Sequence, residues 1–280
     1  MSTILITGAA GRIGTAMRPR MAREGRVLRL FDTAPLSPAV GSGPGEEAVS
    51  GSVTDPDAIR AACVGADAVI HLGAISGEAA WDRILEVNID GTYNVFEAAR
   101  RAGVPRVVFA SSVHAMGFHT PDEYPLPEAT VPLPDTYYGV SKVAGEALGA
   151  LYAMRYGIEV ISIRLLACQT APHDLRSLAS WLSFDDCARL FEACLSADKA
   201  GYRVVYGVSA NTRGGFVSLD GARALGYEPR DDSEAFAAQM EERFGELAAD
   251  DPILKFLGGG FCVPQFGETL GEDAGGQPLR

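Results

Sequence analysis

Lysine is scarce in this chain: of 24 basic residues only Lys142, Lys199 and Lys255 are lysines, so arginine carries almost all the positive charge. Basic residues are themselves outnumbered by 36 acidic ones, for a formal net charge of -12. A surface of that sign repels phosphate backbones and anionic lipid, which argues against nucleic acid and membrane partners. The five cysteines include no C-x-x-C pair, so neither a disulfide framework nor a metal site is expected. No apolar run approaches the roughly 20 residues that span a bilayer. Residues 1–14 pass directly into a strand and a glycine turn without a basic-then-apolar leader, and the expected location is cytoplasmic. No internal repeat is visible.

What the chain does have is apolar content, 47% of 280 residues, enough to bury a large core. Through its first two-thirds, β-rich apolar runs alternate with stretches of helical period. Strands are expected at 3–7, 27–31, 68–72, 106–110, 160–164 and 203–206, and helices near 12–24, 81–102, 138–156 and 184–197, the last opening on a capping Ser183. This pattern predicts an α/β fold, a Rossmann-type doubly wound parallel sheet whose ligand crevice lies at the carboxyl ends of the strands. Residues 33–46, rich in Pro, Gly and Ser, read as a surface loop. Residues 120–134, with five prolines, read as an extended flap before the 138–156 helix. Alternation thins beyond about 170, and the tail 258–280 has no evident element. The expected organisation is a dinucleotide-binding domain over 1–170, with 171–280 a small substrate-binding portion packed on it as one compact unit.

Gly8, Gly11 and Gly14 form T-G-A-A-G-R-I-G between a strand and a helix, the context of a dinucleotide fingerprint. Glycine lets the turn tighten and lets backbone amides approach a pyrophosphate at the helix N-terminus, with Arg12 and Ile13 in the same turn. Asp32 ends the second strand, 18 residues beyond Gly14, where a carboxylate accepts hydrogen bonds from both ribose hydroxyls. That favours NAD; Arg12 is the one nearby cation that would suit the 2′-phosphate of NADP. Leu72 and the small residues Gly73 and Ala74, after His71, would lie against the second ribose. Asn88, a poor helix former inside a helical run, is a candidate for ordering that region.

Tyr138-Gly-Val-Ser-Lys142 carries the densest chemistry. A spacing of four on a helix places phenol and ammonium on one face, where the charge stabilises phenolate and lowers the tyrosine pKa. In a chain that uses lysine three times in 24, a lysine at this spacing is informative; Tyr137 has only Ser141 at the equivalent position. Ser112, with Ser111 beside it, ends the strand 106–110 and is placed to hydrogen-bond a reacting oxygen. His114, His119 and His173 fall in expected loops, and none is given a catalytic role.

TGxxGxxG, the strand-end serine pair and YxxxK together resemble the extended or atypical short-chain dehydrogenase/reductases over roughly 3–170. More narrowly, HLGAIS (71–76), the stretch 84–112, YGVSK (138–142), SWLSFDD (180–186) and FLGGGF (256–261) are similar to NAD-dependent uronate dehydrogenases. The resemblance implies oxidation of the anomeric carbon of a hexuronate with hydride passing to NAD. It implies Tyr138 as base, Lys142 as its electrostatic support, Ser76 and Ser112 as hydroxyl contacts, His114 beside them, and Arg176 as the carboxylate clamp. A guanidinium suits an anionic small-molecule substrate on an acidic protein. Three positions depart from the pattern: Val113 replaces an asparagine, Leu166-Ala167 a glycine-serine pair, and Ser52 an aspartate. They predict a less polar pocket, suited to a less hydroxylated acid or another hydroxy compound. Alternative readings are a sugar-nucleotide epimerase or dehydratase holding NAD tightly and, from another class, a non-catalytic dinucleotide sensor. Association into a homo-oligomer through surface helices is the expected default.

Overall fold

A computed structural model describes residues 2–36, 45–248 and 250–263; residues 37–44 of the expected loop and 264–280 of the expected tail lie outside the described residues. Seven parallel strands form one sheet in the order β3-β2-β1-β4-β5-β6-β9. They are β1 (Ser2–Thr7), β2 (Arg26–Asp32), β3 (Glu46–Ser50), β4 (Ala68–His71), β5 (Arg106–Ser112), β6 (Glu159–Leu165) and β9 (Tyr202–Gly207). A separate two-stranded ribbon pairs β7 (Ala167–Cys168) with β8 (Trp181–Leu182). The central strands read as unbroken apolar runs because both faces are covered. Their side chains alternate accordingly: Ile4 and Ile6 enter one core cluster, Leu5 the other.

Helices α1 (Arg12–Met21) and α7 (Phe184–Ser196) cover the first face through Met17, Met21, Leu190 and Phe191. On the second face, α2 (Pro56–Cys63), α4 (Gly91–Ala102) and α5 (Tyr137–Tyr156) contribute Ile59, Val95, Phe96 and Tyr152. The expected helix 81–102 is continuous but not uniform: α3 (Trp81–Arg83) passes through a π-helical stretch, Ile84–Asp90, into α4. Such wide turns are rare and tend to accompany functional sites. The caps are local. Ser183 accepts from the Asp186 N–H at the start of α7, Thr136 accepts from Gly139 at the start of α5, and Gly157 ends α5 at φ 72°.

Beyond residue 170 the chain still serves the main sheet, since α7 packs on it and β9 pairs with β6. The short helices α6 (Ser177–Ser180), α8 (Asp220–Ala224) and α9 (Ala237–Phe244) fill in around the crevice and the sheet edge. Residues 120–134 are not a free extended flap. They begin in a 3-10 turn, Pro121–Glu123, and buried Leu126 exchanges backbone bonds with Phe216 and Ser218. No helix among the described residues is long and apolar enough to cross a membrane.

Candidate active site

At the carboxyl ends of the strands lies a cleft of about 970 Å³. Its walls include the glycine turn at one end, Tyr138 in the middle and Arg176 at the other. Every site residue expected from the sequence lines it except Asn88.

At the first end, Gly8 adopts φ +68° and faces the β4 end so closely that a Cβ there would lie 2.7 Å from the Gly73 nitrogen. A Cβ at Gly14 would lie 2.5 Å from the Gly8 carbonyl, so this glycine lets the helix sit on its turn. Gly11 is under less constraint, its added Cβ meeting only the Gly8 oxygen at 3.2 Å. It is the N-cap of α1, with no side chain capping the helix and no acidic residue in the first turn, which leaves the positive end open to an anion. The Asp32 carboxylate accepts from the Ala10 and Ala34 N–H groups at 2.8 and 2.9 Å, which anchors it at the cleft wall with lone pairs to spare. Glycines that a side chain would fill, an open helix N-terminus and an anchored carboxylate together fit a dinucleotide. Among the described residues no cluster of three or more His, Cys, Asp or Glu is arranged to hold a metal.

In the middle, Tyr138 and Lys142 are both buried on the inner face of α5. The ammonium donates to the Ala110 carbonyl at 2.9 Å and lies 5.3 Å from the Tyr138 ring centre. Ser112 hydrogen-bonds the phenol and so holds its pKa down, but burial dominates and pushes Tyr138 up to about 12. This overturns the expectation of a tyrosine already lowered by its lysine: burial outweighs the groups that lower the phenol, and it also drives Lys142 down to about 8. Tyr137 points out of the site, half exposed and edge-on to Trp81. Ser111 is engaged elsewhere, donating to Glu146 at 2.6 Å.

Asn88 stands behind the wall. Its amide grips both backbone groups of Ile75, accepting from N–H at 2.8 Å and donating to C=O at 3.0 Å, so it shapes the cleft without facing it. The reason is the π-helical stretch, which turns this position inward.

At the far end, the partly buried Arg176 donates to the Leu257 carbonyl and lies over the Phe216 ring. Burial lowers its pKa, and Asp174 acts on it only through space. His114 pairs with the buried Asp135 at 2.7 Å, stacks on Phe261 with centroids 4.0 Å apart, and meets Tyr138 edge-on. Val113, Leu166 and Ala167 do line the cleft, yet Gln169, His173 and Ser180 line it too, so the pocket is more polar than the three departures alone predict. Sequence reasoning missed Gln169, Ser180 and Phe261. It also missed Glu78, whose carboxylate accepts from the N–H groups of Tyr137 and Tyr138 at 3.1 and 2.8 Å and so caps α5. The only sequence signal for Glu78 was its place just after HLGAIS.

Residues 4–170 match the model of the NAD dependent epimerase/dehydratase family. A uronate dehydrogenase of Pseudomonas putida is 43% identical over 93% of this chain and 95% of its own. An NAD-dependent glucose-6-phosphate dehydrogenase of Haloferax volcanii is 42% identical over 85% of this chain and 97% of its own. Among solved structures, uronate dehydrogenase from Agrobacterium tumefaciens superposes with a TM-score of 0.87 at 40% identity, covering 94% of this chain and 97% of the other. With the glycine turn, the Tyr138–Lys142 pair and these matches in agreement, the chain belongs to the NAD dependent epimerase/dehydratase family.

Proposed function

We propose that this protein is an NAD-dependent dehydrogenase that oxidises the anomeric carbon of a hexuronate to its lactone. The observation that carries the proposal is a single cleft with Asp32 at one end, the Tyr138–Lys142 pair at its centre and Arg176, without a carboxylate partner among the described residues, at the other. Bound NAD supplies the hydride acceptor. Tyr138 takes the proton of the anomeric hydroxyl as the C–H pair leaves as hydride, and the C=O of the lactone forms in its place. Lys142 stabilises the phenolate so formed, and Ser112 holds the reacting oxygen. Ser76, Val113 and His114 line the sugar, and Arg176 presents paired donors to its carboxylate. Gly8, Gly11, Arg12, Ile13 and Gly14 hold the pyrophosphate, Asp32 the adenosine ribose, and Leu72, Gly73 and Ala74 the second ribose.

In this reading the portion 1–170 holds the cofactor and the reacting pair, and the portion 171–280 completes the substrate end through Arg176. The cytoplasm is the proposed location, and a second copy of the chain the only proposed protein partner. A sugar phosphate is a second reading, favoured by the 42% identity to the Haloferax volcanii enzyme, because a guanidinium also serves a phosphate. The test is NADH formation from NAD with hexuronates, aldose phosphates and neutral aldoses. Hexuronates are expected to lead; a lead for the phosphate would transfer the proposal to the second reading. NAD retained through purification with no net NADH would favour an epimerase or dehydratase.

A further inference from the structure

Beneath the cleft floor a line of buried side chains runs from the end of β1 to the first turn of α5. Thr7 Oγ1 lies 2.7 Å from His71 Nδ1, and His71 Nε2 lies 3.1 Å from Thr92 Oγ1. The Thr92 hydroxyl donates to the Asn88 carbonyl. Asn88 Nδ2 donates to Ser141 Oγ at 3.1 Å, and Ser141 Oγ donates to the carbonyl of Tyr138 at 2.6 Å. All five side chains are buried, each at most 2% exposed.

Counting hydrogens fixes the polarity of the line. The single hydroxyl hydrogen of Thr92 goes to the Asn88 carbonyl, which can only accept, so towards His71 the Thr92 oxygen must accept. His71 Nε2 therefore carries a hydrogen. Burial pushes the ring pKa down to about 3, so the imidazole is neutral and Nδ1 is bare. Thr7 then donates to Nδ1, and the oxygen of Thr7 accepts from the Gly73 N–H at 3.2 Å. At Asn88 the two bonds to the Ile75 backbone fix which amide atom is oxygen, since only the oxygen accepts from an N–H. Every donor thus points the same way, towards Tyr138.

We propose that this one-way hydrogen-bond line through Thr7, His71, Thr92, Asn88 and Ser141 positions the first turn of α5, and so Tyr138, against the segment after β4 that carries Gly73 and Ile75. His71 is held as the Nε2–H tautomer, and the five are positioning residues that touch neither substrate nor cofactor. The inference rests on the reading of Tyr138 as the reacting residue. It gives the line a kinetic weight, because a misplacement of about 1 Å at a reacting group costs up to about 10²-fold in rate.

The test pairs Thr92→Val, which keeps the shape but removes the hydroxyl, with Thr92→Ser, which restores it, and with Ser141→Ala. Folded sites are counted by NAD titration, and kcat is expressed per site. Thr92→Val and Ser141→Ala are each expected to lower kcat about tenfold while NAD affinity stays within about threefold, and the double variant to fall no further than either single, since both break one line. Thr92→Ser is expected to retain wild-type kcat. Nitrogen NMR of the His71 ring is expected to show hydrogen on Nε2. Unchanged kcat in Thr92→Val and Ser141→Ala, no recovery in Thr92→Ser, multiplicative losses in the double variant, or hydrogen on Nδ1 would each overturn the proposal. Tyr138→Phe in the same assay separates two failures: if it is inactive while Thr92→Val is unimpaired, only the line falls; if it is active, the reading beneath it falls.

Discussion

Lys142 and Tyr138 share the inner face of α5 with the ammonium 5.3 Å from the phenol ring centre, and both groups are buried in the cleft wall. Burial holds Tyr138 near 12 and Lys142 near 8 before any ligand enters. The pair therefore favours neutral phenol, and Lys142, still mostly charged at neutral pH, is the group left to stabilise phenolate as it forms.

The lysine half of that arrangement predicts a trade of stability for function. In the unfolded chain the amine titrates at its ordinary 10.5, in the folded chain near 8, so the folded state bears the full cost of a desolvated ammonium below pH 8. That cost fades as pH rises from 8 towards 10.5. Lys142→Met should abolish NADH formation yet raise folding stability at pH 7 by on the order of 1–3 kcal/mol, with the gain shrinking towards zero above about pH 10. Thermal midpoints of both proteins across pH check this; a variant less stable than wild type at pH 7 contradicts it.

The glycine turn separates two kinds of constraint. Gly8→Ala puts a Cβ against Gly73 at positive φ, and should cost about 2–4 kcal/mol of stability. Gly11→Ala meets only one oxygen at 3.2 Å and should fold normally while weakening NAD, because it narrows the open helix end. Denaturant midpoints and NAD titration distinguish them; equal losses of stability would contradict the assignment of Gly11 to the anion site.

Asp32→Ala should weaken NAD and narrow the preference over NADP, since it removes the ribose acceptor and the repulsion against a 2′-phosphate. It also frees the Ala10 and Ala34 N–H groups, so a stability loss of about 1 kcal/mol should accompany the change. Kinetics with both cofactors decide the point, and a wild type that prefers NADP would overturn the role given to Asp32.

Arg176→Ala should raise KM for hexuronates by the equivalent of about 1.5–3 kcal/mol. Because the guanidinium also holds the Leu257 carbonyl, neutral sugars should lose a smaller part of their kcat/KM. Arg176→Lys should recover only part, lacking paired donors. Equal losses for acidic and neutral substrates would remove the carboxylate from the account.

Much of this architecture was legible because its signals are local. Unbroken apolar strands, helical period, T-G-A-A-G-R-I-G and YGVSK depend on neighbours in sequence, and the Ser183 cap behaves as its motif predicts. The edge strand β3 was not seen, because EEAVS has one partner strand and an acidic start that ion-pairs Glu46 with Arg18. Short α2 was also missed although Asp55-Pro56 marks its cap. Arg176 came from resemblance alone. Asp135, Glu78 and Phe261 were invisible for a different reason: each meets Tyr138 or His114 from a distant part of the chain, through packing that no spacing in the sequence encodes. Asn88 reads in the sequence as a poor helix former, but only the π-helical stretch shows that it faces inward to Ile75.

The central claim is tested most directly by the initial rate of NADH formation from NAD and a hexuronate, measured for wild type and Tyr138→Phe side by side. The account predicts robust NADH formation by wild type, a fall of about 10²–10⁴-fold in kcat for Tyr138→Phe, and NAD affinity nearly unchanged between the two. No NADH from any hexuronate with the wild-type protein, or a Tyr138→Phe variant as fast as wild type, would contradict it.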